Sequence, residues 1–335
     1  MRIERDVPLA PRTTLGIGGA ARELVRATSL DELREALQAE QVLVIGGGSN
    51  LVIGDAGFAG RVVQIAIPGV SIDGDDVTVA AGVGWDDFVA EIVDHGRAGV
   101  ECMSGIPGLV GATPMQNVGA YGQEVKDTIV RVDALYRETR EEVSFTPEQC
   151  RFGYRTSAFK GTTRWVITSV TFRLPRHAES PPIHYPELAK ALGIAEGGTA
   201  PLHRVRETVI ALRRGKGMVV DPADPESKSA GSFFTNPLVD GATLATLDTR
   251  FGAAMPRWPQ PGGMTKLSAA WLIERAGFAR GYTKGRVGIS RKHALALVNR
   301  GDATAGELLA LAREIQAGVR DKLGVQLEPE PVIVE

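Results

Sequence analysis

The chain reads as a mixed α+β protein of two or three domains, on three observations. Its 335 residues are enough for more than one core at roughly 150 residues per domain. Helix then strand opens the chain from Arg22 to Ala66, which suggests an α/β layer. Strand signals then dominate from Val77 to about Leu174, and the last third turns helical. Ser29-Leu-Asp-Glu32 is a capping box, followed by Leu30, Leu33 and Leu37 at helical spacing. Val42–Ile45 reads as a buried strand, broken by Gly46-Gly-Gly-Ser-Asn50, and 61–65 as another. Trp85, Phe88, Val89 and Ile92 share one helix face between strands at 77–80, 129–135 and 165–172.

Residues 175–182 and 193–201 flank Tyr185 as polar, Pro-rich surface or lid segments. Val205, Val209 and Leu212 line one helix, and 267–276 predicts another, stopped by Gly277. Thr304-Ala-Gly-Glu307 caps a third, which ends at Gly324. An apolar segment, 325–334, closes the chain as a strand holding Glu330.

Composition narrows the function. With 38 Lys+Arg against 40 Asp+Glu, the chain lacks the basic surplus of a nucleic-acid binder. Two cysteines and five unpaired-looking histidines give no disulfide framework and no metal motif. Neither a signal-peptide core nor a ~20-residue apolar span is present, so a cytoplasmic protein without membrane partners is expected. The 40 glycines, about 12% against a usual ~7%, cluster in a few loops.

The first such loop is Gly46, Gly47, Gly48, Ser49, Asn50. Three glycines after a strand exceed what a tight turn needs, and their N–H groups would cradle a phosphate. It is not a G-x-G-x-x-G fingerprint. The second, 104–122, is nineteen residues long without periodicity. That length favours a functional loop; a wall for a flat ring or pyrophosphate and a structural Ω-loop are equal readings of its composition.

These pieces, taken in order, resemble one family. They are Thr14-Leu-Gly-Ile-Gly-Gly19, Gly46-Gly-Gly-Ser-Asn-Leu51, Gly105-Ile-Pro-Gly-Leu-Val-Gly111 and Gln116-Asn-Val-Gly-Ala-Tyr-Gly122. Cys150-Arg-Phe-Gly-Tyr-Arg155, Ala230-Gly-Ser-Phe-Phe-Thr-Asn-Pro237 and Leu327-Glu-Pro-Glu330 complete the set. The chain is similar to the UDP-N-acetylenolpyruvoylglucosamine reductases, flavoenzymes that make UDP-N-acetylmuramate for peptidoglycan. Pro331 after Glu330 and the stretch 218–222 depart from the family pattern.

The resemblance implies an α+β FAD-binding fold of the vanillyl-alcohol-oxidase type. It implies FAD-binding subdomains at 1–70 and 71–200 and a substrate-binding domain at 201–325, with 326–335 packing back on the first. It implies non-covalent FAD, NADPH as co-substrate, a nucleotide-sugar substrate and a monomer. Flavin N5 would give hydride to the enolpyruvyl alkene, Arg155 would stabilise the developing enolate, and Ser232 would supply the proton. Glu330 would orient that face or act as an acid.

FAD contacts are implied for Gly46, Gly47, Gly48, Ser49, Asn50, Leu51, Gly108, Thr113, Gly119 and Gly122. Substrate contacts are implied for Tyr185, Arg213, Lys216, Asn236 and Lys266, Tyr185 marking the subtype with a tyrosine loop. Taken singly, Arg155 reads first as a surface ion pair, Ser232 as a cap and Glu330 as the guard of an edge strand, and only the ordered family motifs reverse that preference. An oxidase on the same flavin fold and a silent nucleotide-sugar binder are the competing functions.

Overall fold

The structure is a computed structural model describing residues 1–335. The chain forms two compact units. The first comprises Met1–Val7, Ala21–Gly47 and Ala59–Gly215; the second comprises Pro8–Ala20, Gly48–Phe58 and Lys216–Glu335.

In the first unit a four-stranded sheet runs in the order Ile3–Pro8, Ala20–Ala27, Phe58–Ile65, Val42–Ile45. Val42–Ile45 lies parallel to 61–64, so residues 46–57 must serve as the crossover, and they carry the first glycine motif. Helix α1 (Leu30–Ala36) buries Leu33 and Ala36 against Val25, Val63 and Ile65. Ser29 accepts from the Glu32 N–H as expected, but the Glu32 carboxylate turns to the Thr28 N–H at 2.8 Å. The reciprocal half of the expected capping box is therefore replaced by a bond one residue upstream.

A second, antiparallel sheet has the order Glu142–Phe145, Ile129–Tyr136, Trp165–Arg173, Asp76–Ala80, Val70–Asp73. The face predicted for 85–92 is found on α2 (Trp85–Asp94), where Trp85, Phe88, Val89 and Ile92 are buried. Trp85 and Phe88 pack tilted against Phe172 of the sheet, and the Trp85 indole N–H donates to the Met103 carbonyl at 3.0 Å.

Two helices follow. Helix α3 (Pro186–Leu192) lies between the two polar segments that flank Tyr185; Pro186 sets its first turn and Gly193 ends it at φ 68°. It buries Leu188, Ala189 and Leu192 with Val205 and Val209 of α4 (Leu202–Gly215).

The second unit holds a four-stranded sheet, Ser229–Ser232, Ala296–Asn299, Val287–Ile289, Thr283–Lys284. It also has a three-stranded sheet, Leu238–Val239, Thr265–Leu267, Arg257–Pro259. Helices α5 (Gly241–Phe251), α6 (Ala269–Arg275) and α7 (Ala305–Leu323) complete it. The expected helix over 267–276 is shorter, because Leu267 is paired in a strand and Ser268 caps the helix by accepting from the Trp271 N–H.

Helix α7 has the predicted reciprocal box between Thr304 and Glu307 and stops at Gly324. The closing strand is only Val332–Val334, parallel to Leu51–Ile53. Glu330 thus precedes the strand, since Pro329 and Pro331 have no N–H to give to a ladder. The core gathers Phe233, Phe234, Leu272, Ile289, Leu308 and Ile315 around Leu15, Ile17 and Val52.

Candidate active site

Within the first unit the two glycine loops meet backbone to backbone. A Cβ added at Gly47 would sit 2.9 Å from the Gly108 Cα, and one at Gly46 would lie 3.5 Å from Leu109. Gly111 is packed as closely, 2.4 Å from the Ala81 Cβ to an added Cβ. The loop over 104–122 is braced by turns at Val110–Ala112 and Pro114–Gln116 and by the short pair Gly119–Ala120 with Gln123–Glu124. Thr113 is buried, its hydroxyl donating to the Val110 carbonyl at 2.8 Å. Only glycine permits the close contact at 47 and 111, and glycine-rich backbone of this kind offers N–H groups suited to a pyrophosphate. FAD fits such a backbone.

Arg155 sits in a two-residue turn between Gly153 and Thr156, which exchange backbone bonds of 3.0 and 3.3 Å. Its φ of 51° is left-handed, a conformation costing about 1–3 kcal/mol outside glycine and concentrated at functional sites. Its guanidinium donates to the Gly119 carbonyl at 3.0 Å. Arg155 thereby joins the second glycine loop, which is more than an ion pair on the surface would do.

Nearby, Asp86 at the start of α2 receives Arg206 of α4 at 2.6 and 3.1 Å and the Gly105 N–H at 2.6 Å. Burial alone would raise this carboxyl; the Arg206 guanidinium and the Gly105 N–H outweigh it and hold it below its ordinary value. Sequence reasoning passed over the pair, because 120 residues separate its members and no local pattern links them. Further along α4, Arg213 is half-buried, and desolvation lowers its pKa to about 10 despite the nearby Tyr121 and Asp86. It stays a cation at neutral pH. Tyr121, pushed up to about 12 by burial, meets Tyr185 edge to face at 5.3 Å. Gly122, at φ 90°, neighbours Tyr185: an added Cβ would lie in ordinary contact, 3.9 Å from the Tyr185 Cβ. Arg155, Arg213, Tyr121 and Tyr185 thus belong to one neighbourhood.

Within the second unit Ser232 ends a strand opposite Ala296, after Gly231 at φ 74°. The next residue, Phe233, accepts the Glu330 N–H at 2.9 Å, so the chains carrying Ser232 and Glu330 run side by side. Asn50 joins them: its side chain donates to the Glu330 carbonyl at 3.4 Å and its carbonyl accepts from Val332. Leu51 opens the strand paired with Val332. Gly48, at φ 64°, passes so close to Arg12 that an added Cβ would be 1.9 Å from its carbonyl oxygen. Ser49 follows it in a turn leading to Asn50.

The Asn236 Oδ1 accepts from Ala269 at the start of α6, and Lys266 lies 5.7 Å above the Trp258 ring. Lys216 follows directly on α4. Asp55 was not singled out by sequence; its carboxylate accepts from the Ala305 and Gly306 N–H groups at 2.7 and 3.0 Å.

Comparison with known proteins places the chain in a family. Residues 222–334 match the family model for the UDP-N-acetylenolpyruvoylglucosamine reductase C-terminal domain, and residues 21–140 match that for a FAD binding domain. A UDP-N-acetylenolpyruvoylglucosamine reductase of Thermobifida fusca is 49% identical over 98% of this chain and 97% of its own. One from Streptomyces avermitilis is 50% identical over 98% and 94%. The crystal structure of the Thermus caldophilus UDP-N-acetylenolpyruvylglucosamine reductase aligns with a TM-score of 0.71 at 29% identity, covering all of both chains. The α+β flavin fold of the vanillyl-alcohol-oxidase type expected from the motifs is therefore present. With relatives this similar over nearly their whole length, the chain belongs to the UDP-N-acetylenolpyruvoylglucosamine reductase family.

Proposed function

We propose that this protein reduces UDP-N-acetylenolpyruvoylglucosamine to UDP-N-acetylmuramate, a peptidoglycan precursor, using NADPH. The observation that carries the reading is the near-full-length likeness to reductases of that name. When bound, FAD supplies the two-electron chemistry that links NADPH to the alkene. The chain's own residues do the rest. The glycines at 46, 47, 108 and 111 let the two loops pack closely enough to present their backbone N–H groups to the cofactor, and Gly48, Ser49, Asn50, Leu51, Thr113, Gly119 and Gly122 shape the loops around it.

Arg155 holds a permanent, directional positive charge for the carboxylate into which the enolate charge spreads. Removing such a donor typically costs roughly 3–4 kcal/mol of barrier. Ser232 delivers its hydroxyl proton to the substrate carbon next to the one reduced, help worth about 10²–10⁴-fold. Glu330 orients that face. Tyr185 covers the nucleotide sugar, Arg213 and Lys216 grip the diphosphate, and Asn236 and Lys266 complete the contacts. FAD binding is assigned to 1–70 and 71–200, substrate binding to 201–325. The same reading makes the protein a cytoplasmic monomer.

Anaerobic stopped-flow tests it. NADPH should bleach the yellow protein, and the enolpyruvyl substrate should restore the colour without oxygen. Ser232→Ala should leave bleaching within about 2-fold while slowing the return of colour by about 10²–10⁴-fold. Recovery only on admitting oxygen would make the protein an oxidase instead; equal slowing of both halves would remove Ser232 from the proton transfer.

A further inference from the structure

Asn117 is fully buried and left-handed, at φ 47°, and no step of the reaction calls for a carboxamide there. Its Oδ1 accepts the Lys126 N–H at 3.2 Å. Its Nδ2 donates to the Glu124 carboxylate at 3.0 Å and to the Gly153 carbonyl at 3.1 Å. Two acceptors on one side and a donor on the other fix the amide's orientation, and only a carboxamide satisfies all three.

Gly153 opens the turn that contains Arg155, and its carbonyl also accepts from Thr156 at 3.3 Å. Asn117 therefore takes the remaining lone pair of the turn's first carbonyl. Two further ties converge on the same segment. The Lys160 ammonium donates to the Arg155 carbonyl at 2.7 Å, and the Ser157 hydroxyl donates to the Met115 carbonyl at 2.7 Å. The guanidinium of Arg155 reaches Gly119, two residues beyond Asn117.

We infer that Asn117 is a positioning residue for Arg155: with Ser157 it clamps the segment around the 153–156 turn to the second glycine loop while Lys160 braces the Arg155 carbonyl, so that a left-handed arginine keeps one direction. The inference rests on the role proposed for Arg155. A carboxylate at 117 keeps the shape and the acceptor but loses both donated bonds, setting its charge against the Glu124 carboxylate and the Gly153 oxygen.

The test uses FAD-loaded enzyme under anaerobic conditions. Asn117→Asp should keep flavin content and NADPH-driven bleaching within about 2-fold and slow reoxidation by substrate about 10–100-fold, the scale of a small misplacement. Combined with Arg155→Ala it should add no further slowing, because both changes remove the same effect. Amide hydrogen exchange over 153–156 should quicken. Lys160→Met should show the same pattern more weakly, and serves if Asn117→Asp does not fold.

Equal slowing of both half-reactions, or full additivity with Arg155→Ala in either variant, would overturn the clamp. Were Arg155→Ala alone to leave reoxidation intact, the role of Arg155 would fail first and the clamp with it.

Discussion

Two glycines show how differently the same residue type is used. Gly47 has φ within reach of any residue, yet an added Cβ would meet the Gly108 Cα at 2.9 Å. Gly193 has φ 68° and open space around it. Gly47→Ala should therefore force the two loops apart, an overpacking of about 1–3 kcal/mol that weakens FAD binding by about 10–100-fold. Gly193→Ala should cost about 1 kcal/mol of stability through backbone strain and leave flavin content alone. Flavin absorbance per protein and urea titration measure the two. Full flavin occupancy in Gly47→Ala at low FAD would show that the loops yield freely.

Helix α7 illustrates what an element owes to residues far along the chain. The Thr304–Glu307 box satisfies part of its first turn, and Asp55, some 250 residues earlier, takes the Ala305 and Gly306 N–H groups. Its negative charge also suits the positive end of the helix. Asp55→Ala should destabilise the protein by about 1–2 kcal/mol, as loss of a strong N-cap does. Asp55→Asn, which keeps an acceptor, should recover part of that. Denaturant melts of both variants decide it, and identical midpoints for wild type and Asp55→Ala would remove the cap from the account.

For the whole molecule the carboxylates set the acid limit. Asp86 and Glu23 in the first unit and Glu226 and Glu314 in the second all lie below their ordinary values. For Asp86 and Glu226 burial opposes the shift, while Arg206 and Gly105, or Ser290, Arg291 and Arg300, more than offset it. Hydrogen bonds from Arg61 and from Lys284 and Tyr282 lower Glu23 and Glu314. A depressed folded-state pKa adds stability above the unfolded value, near 4, and that stability disappears as pH falls through the folded value. The melting temperature should therefore hold level down to about pH 5 and drop progressively between about pH 4 and 2. A flat profile across that range contradicts the pairing of these groups.

The elements legible in the sequence are those whose causes are local. The Thr304–Glu307 box, the stop at Gly324 and the spacing of Trp85, Phe88, Val89 and Ile92 all involve residues within a turn or two, and the structure has them. The family was legible because its motifs preserve order over the whole chain. One misread element has its partner elsewhere, and another was decided by its own neighbours. Leu267 looks helical until Pro259, Trp258 and Arg257 supply a neighbouring strand, and Glu330 looks like part of a strand until two prolines remove its ladder.

In the site, residue types could be named from motifs, but not what holds them. Asn117 reaches Gly153 across 36 residues and Asp86 reaches Arg206 across 120. Segments 8–20 and 48–58 join the C-terminal unit although they lie near the N-terminus. Periodicity and capping record forces between neighbours along the chain. A hydrogen bond between distant residues leaves no mark on the pattern around either end, so only the folded backbone decides which donors and acceptors meet.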